Sequence, residues 1–129
     1  MVIWLIEGNP DTVALIRETL GPDVRVCDFP QGDEGADWFL FSRFSRPVLL
    51  IAGDSADACG PEEVAARIRA AMDKTPILAL SAHADELRRA RAIRAGVTAY
   101  LTKPFHPADL LAKVRELLTP PIVPNMMPA

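Results

Sequence analysis

AIRAGVTAYLTKPFHPADLLAKVRELL, residues 92–118, is the stretch from which the rest of the chain can be parsed. Gly96 follows a helical segment at the place where a residue without a side chain takes the left-handed conformation at little cost. TAYLT, 98–102, is a short strand. Pro107 then starts a last helix, where its missing N–H is no loss. In that helix Leu110, Leu111, Val114, Leu117 and Leu118 recur at helical spacing and form an apolar stripe. Helix, strand and helix joined by such short turns are the unit of an alternating α/β domain.

The same alternation runs back to the N-terminus. Residues 84–95 form a helix with Leu87, Ala90 and Ile93 inward, preceded by the strand PILALS, 76–81. Gly60-Pro61 opens a helix in which Val64, Ile68 and Met72 share a face, and PVLLIA, 47–52, is the strand before it. GADWFLFSRFS, 35–45, is a candidate helix whose Trp38, Phe39 and Phe41 supply core area. VRVC, 24–27, is a second short strand. DTVALIRETL, 11–20, is a helix with Val13, Ile16 and Leu20 on one stripe, started by an Asn9 cap and a first-turn Pro10 and stopped by Gly21-Pro22. Val2 to Ile6 is a continuous apolar run, suited to a strand buried on both faces. The fold class is therefore α/β: a five-stranded, doubly wound parallel sheet with helices on both faces, over 1–118. The tail TPPIVPNMMPA, 119–129, is proline-rich and is expected to be a disordered linker or end.

Composition narrows the function classes. Half of the 129 residues are hydrophobic, enough for one core, and the net charge is −3. An acidic chain lacks the basic surface that neutralises phosphates, so no nucleic-acid contact is expected. No apolar run approaches the ~20 residues of a membrane span, and the N-terminus has no signal-peptide pattern. Cytoplasm is the expected location. Cys27 and Cys59 lack metal-binding spacing and fit reduced thiols. His83 and His106 are expected at the surface or in caps.

In a doubly wound sheet the site lies beyond the carboxyl ends of the strands. Those ends bring together Glu7, Asp54, Ser81 and Lys103. An acid that accepts phosphoryl, a hydroxyl and an ammonium around one point suit an acyl phosphate, with a divalent cation bridging the acids. Ser81 also suits a helix cap for AHADEL.

TPILALSAHAD, 75–85, together with 92–118, resembles the receiver domain of two-component response regulators, the CheY-like, flavodoxin-like (βα)5 fold. The resemblance spans 1–118 and implies roles. Ser81 is the switch hydroxyl that follows the phosphoryl group, Tyr100 the switch aromatic, and Lys103 the phosphate-pairing lysine. Ser81 and Lys103 are thus the catalytic pair, and Lys103–Pro104 is a cis peptide. The helix over 84–95, with Arg88, Arg91 and Arg94 outward, the strand over 98–102 and the last helix form the family's signalling face, suited to an acidic protein partner.

The N-terminal half departs from the pattern. The family's acidic pair falls on Glu7 and Gly8, and the phosphoacceptor position, counted from Pro47, falls on Gly53. Asp54 is one residue late, and a shift of one re-aims a strand side chain; a bulge would turn it back. Mg²⁺ would be held weakly, by Glu7, Asp54 and a backbone carbonyl near Ser55. The expected function is a degenerate receiver that acts by protein contact with weak or no aspartyl phosphorylation. A histidine kinase or a downstream effector is the expected partner, and the chain a monomer or weak dimer. It is not an enzyme beyond its own phosphorylation and dephosphorylation. The alternatives are a conventional receiver using Asp54 with Mg²⁺ and, more remotely, a flavin or nucleotide module, for which EGNPDT, 7–12, is a poor phosphate loop. A stand-alone receiver and a piece of a longer regulator both remain open.

Overall fold

The computed structural model describes residues 2–28, 47–53, 60–71, 74–82 and 85–118. The elements in chain order are β1 (Val2–Ile6), α1 (Pro10–Leu20), β2 (Arg25–Asp28), β3 (Leu49–Ala52), α2 (Pro61–Ala71), β4 (Ile77–Ser81), α3 (Glu86–Ala95), β5 (Ala99–Thr102) and α4 (Pro107–Leu118). The five strands form one sheet in the order β2-β1-β3-β4-β5, and every neighbouring pair is parallel. This is the flavodoxin-like, CheY-like fold. The candidate helix at 35–45, Met72, Cys59, His83 and the tail from 119 lie outside the described residues.

Strand alternation divides the core in two. Trp4, Ile6, Leu50, Ala52, Ile77 and Ala79 face one side, where Val64, Ala65 and Ile68 of α2 and Ala92 of α3 cover them. Ile3, Leu5, Leu49, Ile51, Leu78 and Leu80 face the other, under Ile16 of α1 and Leu110 and Val114 of α4. Both faces are dry, which is why these strands are unbroken apolar runs.

The helix ends follow from local chemistry. The Asn9 side chain accepts from the N–H groups of Asp11 and Thr12, with Pro10 in the first turn. Gly96 closes α3 at φ 118°, in the left-handed region. A side chain there would also press on Arg69, whose Cγ lies 2.6 Å from an added Cβ. Arg69 donates from Nε and Nη2 to the Gly96 carbonyl (3.0 and 2.7 Å) and from Nη1 to the Thr75 carbonyl (2.6 Å). One guanidinium thus ties α2 to the turn before β4 and to the C-terminal end of α3.

Two expectations are corrected. Leu87, Ala90 and Ile93 do not face inward: all three are exposed, Leu87 by 62% and Ile93 by 50%. Ala92 and Ala95 take the inward positions, against Ile68 and Val97. Small side chains let α3 approach its neighbours, and the larger aliphatic residues are left on the outside. Ser81 does not cap that helix either. It ends β4, and the cap is Asp85, whose carboxylate accepts from the Arg88 N–H at 2.8 Å. Strand boundaries move by one or two residues: β2, β4 and β5 start at Arg25, Ile77 and Ala99, and β3 at Leu49.

Candidate functional site

All parallel strands deliver their C-terminal ends to one edge, and the register there decides which side chains meet. Ile6 is beside Ala52, and the ladder continues one step further, the Gly53 N–H donating to the Ile6 carbonyl at 2.7 Å. Glu7 therefore lies alongside Gly53. Across the sheet Ser81 is beside Thr102, and the Lys103 N–H donates to the Ser81 carbonyl at 2.8 Å. The Lys103–Pro104 peptide is cis.

The Lys103 ammonium donates to both Glu7 oxygens, at 2.9 Å to Oε1 and 3.0 Å to Oε2. The Asn9 N–H also reaches Oε1, at 3.3 Å. β1 and β5 are three strand spacings apart in the sheet order, roughly 14 Å at the usual spacing. The lysine spans part of that gap, and Glu7 closes the rest by leaning over the end of β3. The Glu7 side chain is 1% exposed and that of Lys103 20%. A carboxylate so buried requires a cation and hydrogen bonds in compensation, and it has both.

Gly53 is what lets Glu7 lean. A Cβ placed on Gly53 would collide with Glu7 Oε2 and lie 2.8 Å from Cδ. The glycine answers a demand for space. Aspartate in this place would put its first carbon where the Glu7 carboxylate already is.

Among the described residues this donor set does not fit a Mg²⁺ ion. Both Glu7 oxygens face an ammonium, Gly8 offers no side chain, and no cluster of three or more His, Cys, Asp or Glu residues capable of holding a metal occurs among the described residues. A hard divalent cation seeks several oxygens and would have to displace Lys103 to reach the first.

Asp54 and Ser55, the candidate acceptor and carbonyl ligand, lie outside the described residues. Ser81 is buried, 4% exposed, at the end of β4. Tyr100 is half-buried and packs against the core layer that contains Trp4. Arg88, Arg91 and Arg94 are exposed on α3, with Arg88 3.8 Å from the Asp85 carboxylate. His106 is exposed, and its carbonyl accepts from Asp109 and Leu110 at the start of α4.

Two features were not anticipated from the sequence. One is the Glu7–Lys103 pair, whose signal was present: a glutamate, one methylene longer than aspartate, stands in register with a glycine. The other is an apolar groove of about 320 Å³ between the start of α1 and the β5–α4 turn, lined by Thr12, Leu15, Ala82, Lys103, Pro104 and Phe105.

Comparison with known proteins agrees with this architecture. The family model for the response regulator receiver domain matches residues 3–115. The hybrid signal transduction histidine kinase D of Dictyostelium discoideum is 30% identical over 92% of this chain, which covers 8% of that protein. The cell cycle response regulator CtrA of Brucella ovis is 33% identical over 92% of this chain, which spans half of its length. Among solved structures, the receiver domain of the sensor histidine kinase PA1611 from Pseudomonas aeruginosa is 26% identical, with a TM-score of 0.72. The match covers 91% of this chain and 96% of that one, and that crystal structure has a magnesium ion coordinated in its active-site cleft.

Proposed function

The chain belongs to the response regulator receiver domain family, and on that premise we propose that it serves two-component signalling by protein contact, with aspartyl phosphorylation weak or absent. The observation that carries this reading is the Glu7–Lys103 pair packed over Gly53. Phosphoryl transfer to a carboxylate needs an accessible acid, a cation to neutralise the incoming phosphoryl oxygens and a free ammonium beside them. At this edge the buried acid and the ammonium satisfy each other.

The contact surface in this reading is α3 with its neighbours β5 and α4. Leu87 and Ile93 are half or more exposed there, beside Arg88, Arg91 and Arg94. Apolar anchors rimmed by arginine suit a protein partner that offers carboxylates around an apolar patch. Histidine kinases and downstream effectors are the partner classes in this system.

The test is the intact mass after incubation with acetyl phosphate and Mg²⁺, on wild type and Asp54→Asn in parallel. Circular dichroism checks that both are folded. No phosphoryl adduct on either protein is the expected result, with amide NMR spectra unmoved by beryllofluoride, which guards against a short-lived adduct. An adduct on wild type alone would make Asp54 the acceptor and this a conventional receiver.

A further inference from the structure

We infer that Glu7 and Gly53 act as one unit: the Glu7 side chain supplies Lys103 with a carboxylate partner from within the chain, in the volume a side chain just after β3 would otherwise fill. The inference deepens the reading above, on whose premise that Lys103 belongs to the site it rests, by naming what engages that lysine.

Three observations converge on it. The Glu7 carboxylate is almost wholly buried, yet each of its oxygens has a donor. The nearest obstacle to that placement would be a side chain at Gly53, and the residue there has none. The lysine that Glu7 engages comes from the far side of the sheet, so the carboxylate leans across β3 rather than pairing with a group on its own strand or the next. The atom that a Gly53 Cβ would meet is the end of a long side chain, which can swing away. Swinging costs both Lys103 contacts and the Asn9 contact, and leaves the ammonium without its anion.

Two consequences follow. A side chain at position 53 and the present placement of the Glu7 carboxylate exclude each other. An aspartate introduced at 53 alone therefore does not reconstruct an acceptor site, because it meets Glu7 first and then competes with it for one lysine. Lys103 is also engaged by a group of the chain itself, so a phosphodonor or cation reaching it has first to break the Glu7 contact.

The experiment is a thermal-unfolding cycle on the full chain with Gly53→Ala, Glu7→Ala and the double variant. Alanine at an unstrained glycine position ordinarily raises stability slightly, by reducing the freedom of the unfolded chain. Here Gly53→Ala alone is expected to lower Tm by about 5–10 °C, the size of shift that loss of a partly buried ion pair produces in a domain of this length. In the Glu7→Ala background the same change is expected to leave Tm unchanged or raise it. If Gly53→Ala fails to fold, a folded double variant supports the inference and an unfolded one overturns it. Equal Tm changes in the two backgrounds overturn it as well.

A second arm uses Gly53→Asp, alone and with Glu7→Ala. The single variant is expected to melt lower than the double, and the reverse order would sink the inference. These outcomes are separable from the phosphorylation reading. An Asp54 adduct on wild type would end that reading and leave the cycle untouched, whereas an additive cycle without an adduct would end only the present inference.

Discussion

The two ends of the site-bearing edge differ in kind. At the β4–β5 end the residues are the ones the receiver pattern leads one to expect: a buried Ser81, then Lys103 on a cis bond to Pro104. At the β1–β3 end the pattern is rewritten: Glu7 remains, and Gly8 and Gly53 stand where acids are expected. Residue by residue, the second end looks like subtraction. In space it is a substitution, since one longer acid on β1 fills the place of a shorter one on β3 and keeps the lysine engaged. A departure from a family pattern has to be judged by the volume and charge left at the site, and a count of missing residues does not give that.

The comparison can be broken most directly at Lys103. Lys103→Met leaves the Glu7 carboxylate buried without a cation, and breaking a buried pair from one side costs about 3–5 kcal/mol. Urea unfolding should show that loss. A loss below about 1 kcal/mol, the value of an exposed pair, would mean that the carboxylate readily reaches water. Glu7→Gln should cost less, about 1–2 kcal/mol, because Lys103 is the more exposed partner and can turn to solvent. The ordering of these two variants sharpens the claim that the buried acid, and not the lysine, is the constrained member. Away from the site, Asp85→Ala should remove the α3 cap at a cost of about 1 kcal/mol, measurable as a lower urea midpoint. The smallest effect is expected on the outer face of α3. Leu87→Ser and Ile93→Ser should each stay within about 0.5 kcal/mol of wild type while weakening capture of a partner by that face. A large stability loss at either position would return them to the core.

Two helices show how far the sequence could be read. In α1, Asn9, Pro10 and Gly21 mark both ends, and Ile16 is the buried residue on the predicted stripe. Cap chemistry and periodicity agreed there, so the element was legible. In α3 the spacing of Leu87, Ala90 and Ile93 predicts the inner face, but Ala92 is the buried residue, with Ala95 half-buried beside it. Side-chain size could not tell a helix lying close to its neighbours from one that offers its aliphatic residues outward; only the packing of α2 and Val97 against it decides. The site was legible to the same degree. Counting from Pro47 points to Gly53 as the position at the end of the third strand, and in the structure Gly53 follows Ala52 beside the end of β1. The fate of Glu7 was not legible, because it depends on how a flexible side chain crosses a neighbouring strand, which no spacing rule encodes.

The Glu7–Lys103 contact also joins residues 96 positions apart in the chain. Closing so long a loop carries an entropic cost that no local turn offsets, and the contact forms only once β1, β3, β4 and β5 have assembled. It is therefore expected to form at the end of the folding reaction. Interactions absent from the transition state act on the unfolding rate and leave the refolding rate alone. Removing the pair should therefore move the unfolding limb of the chevron and spare the folding limb, which makes this ion pair a brake on the protein's unravelling.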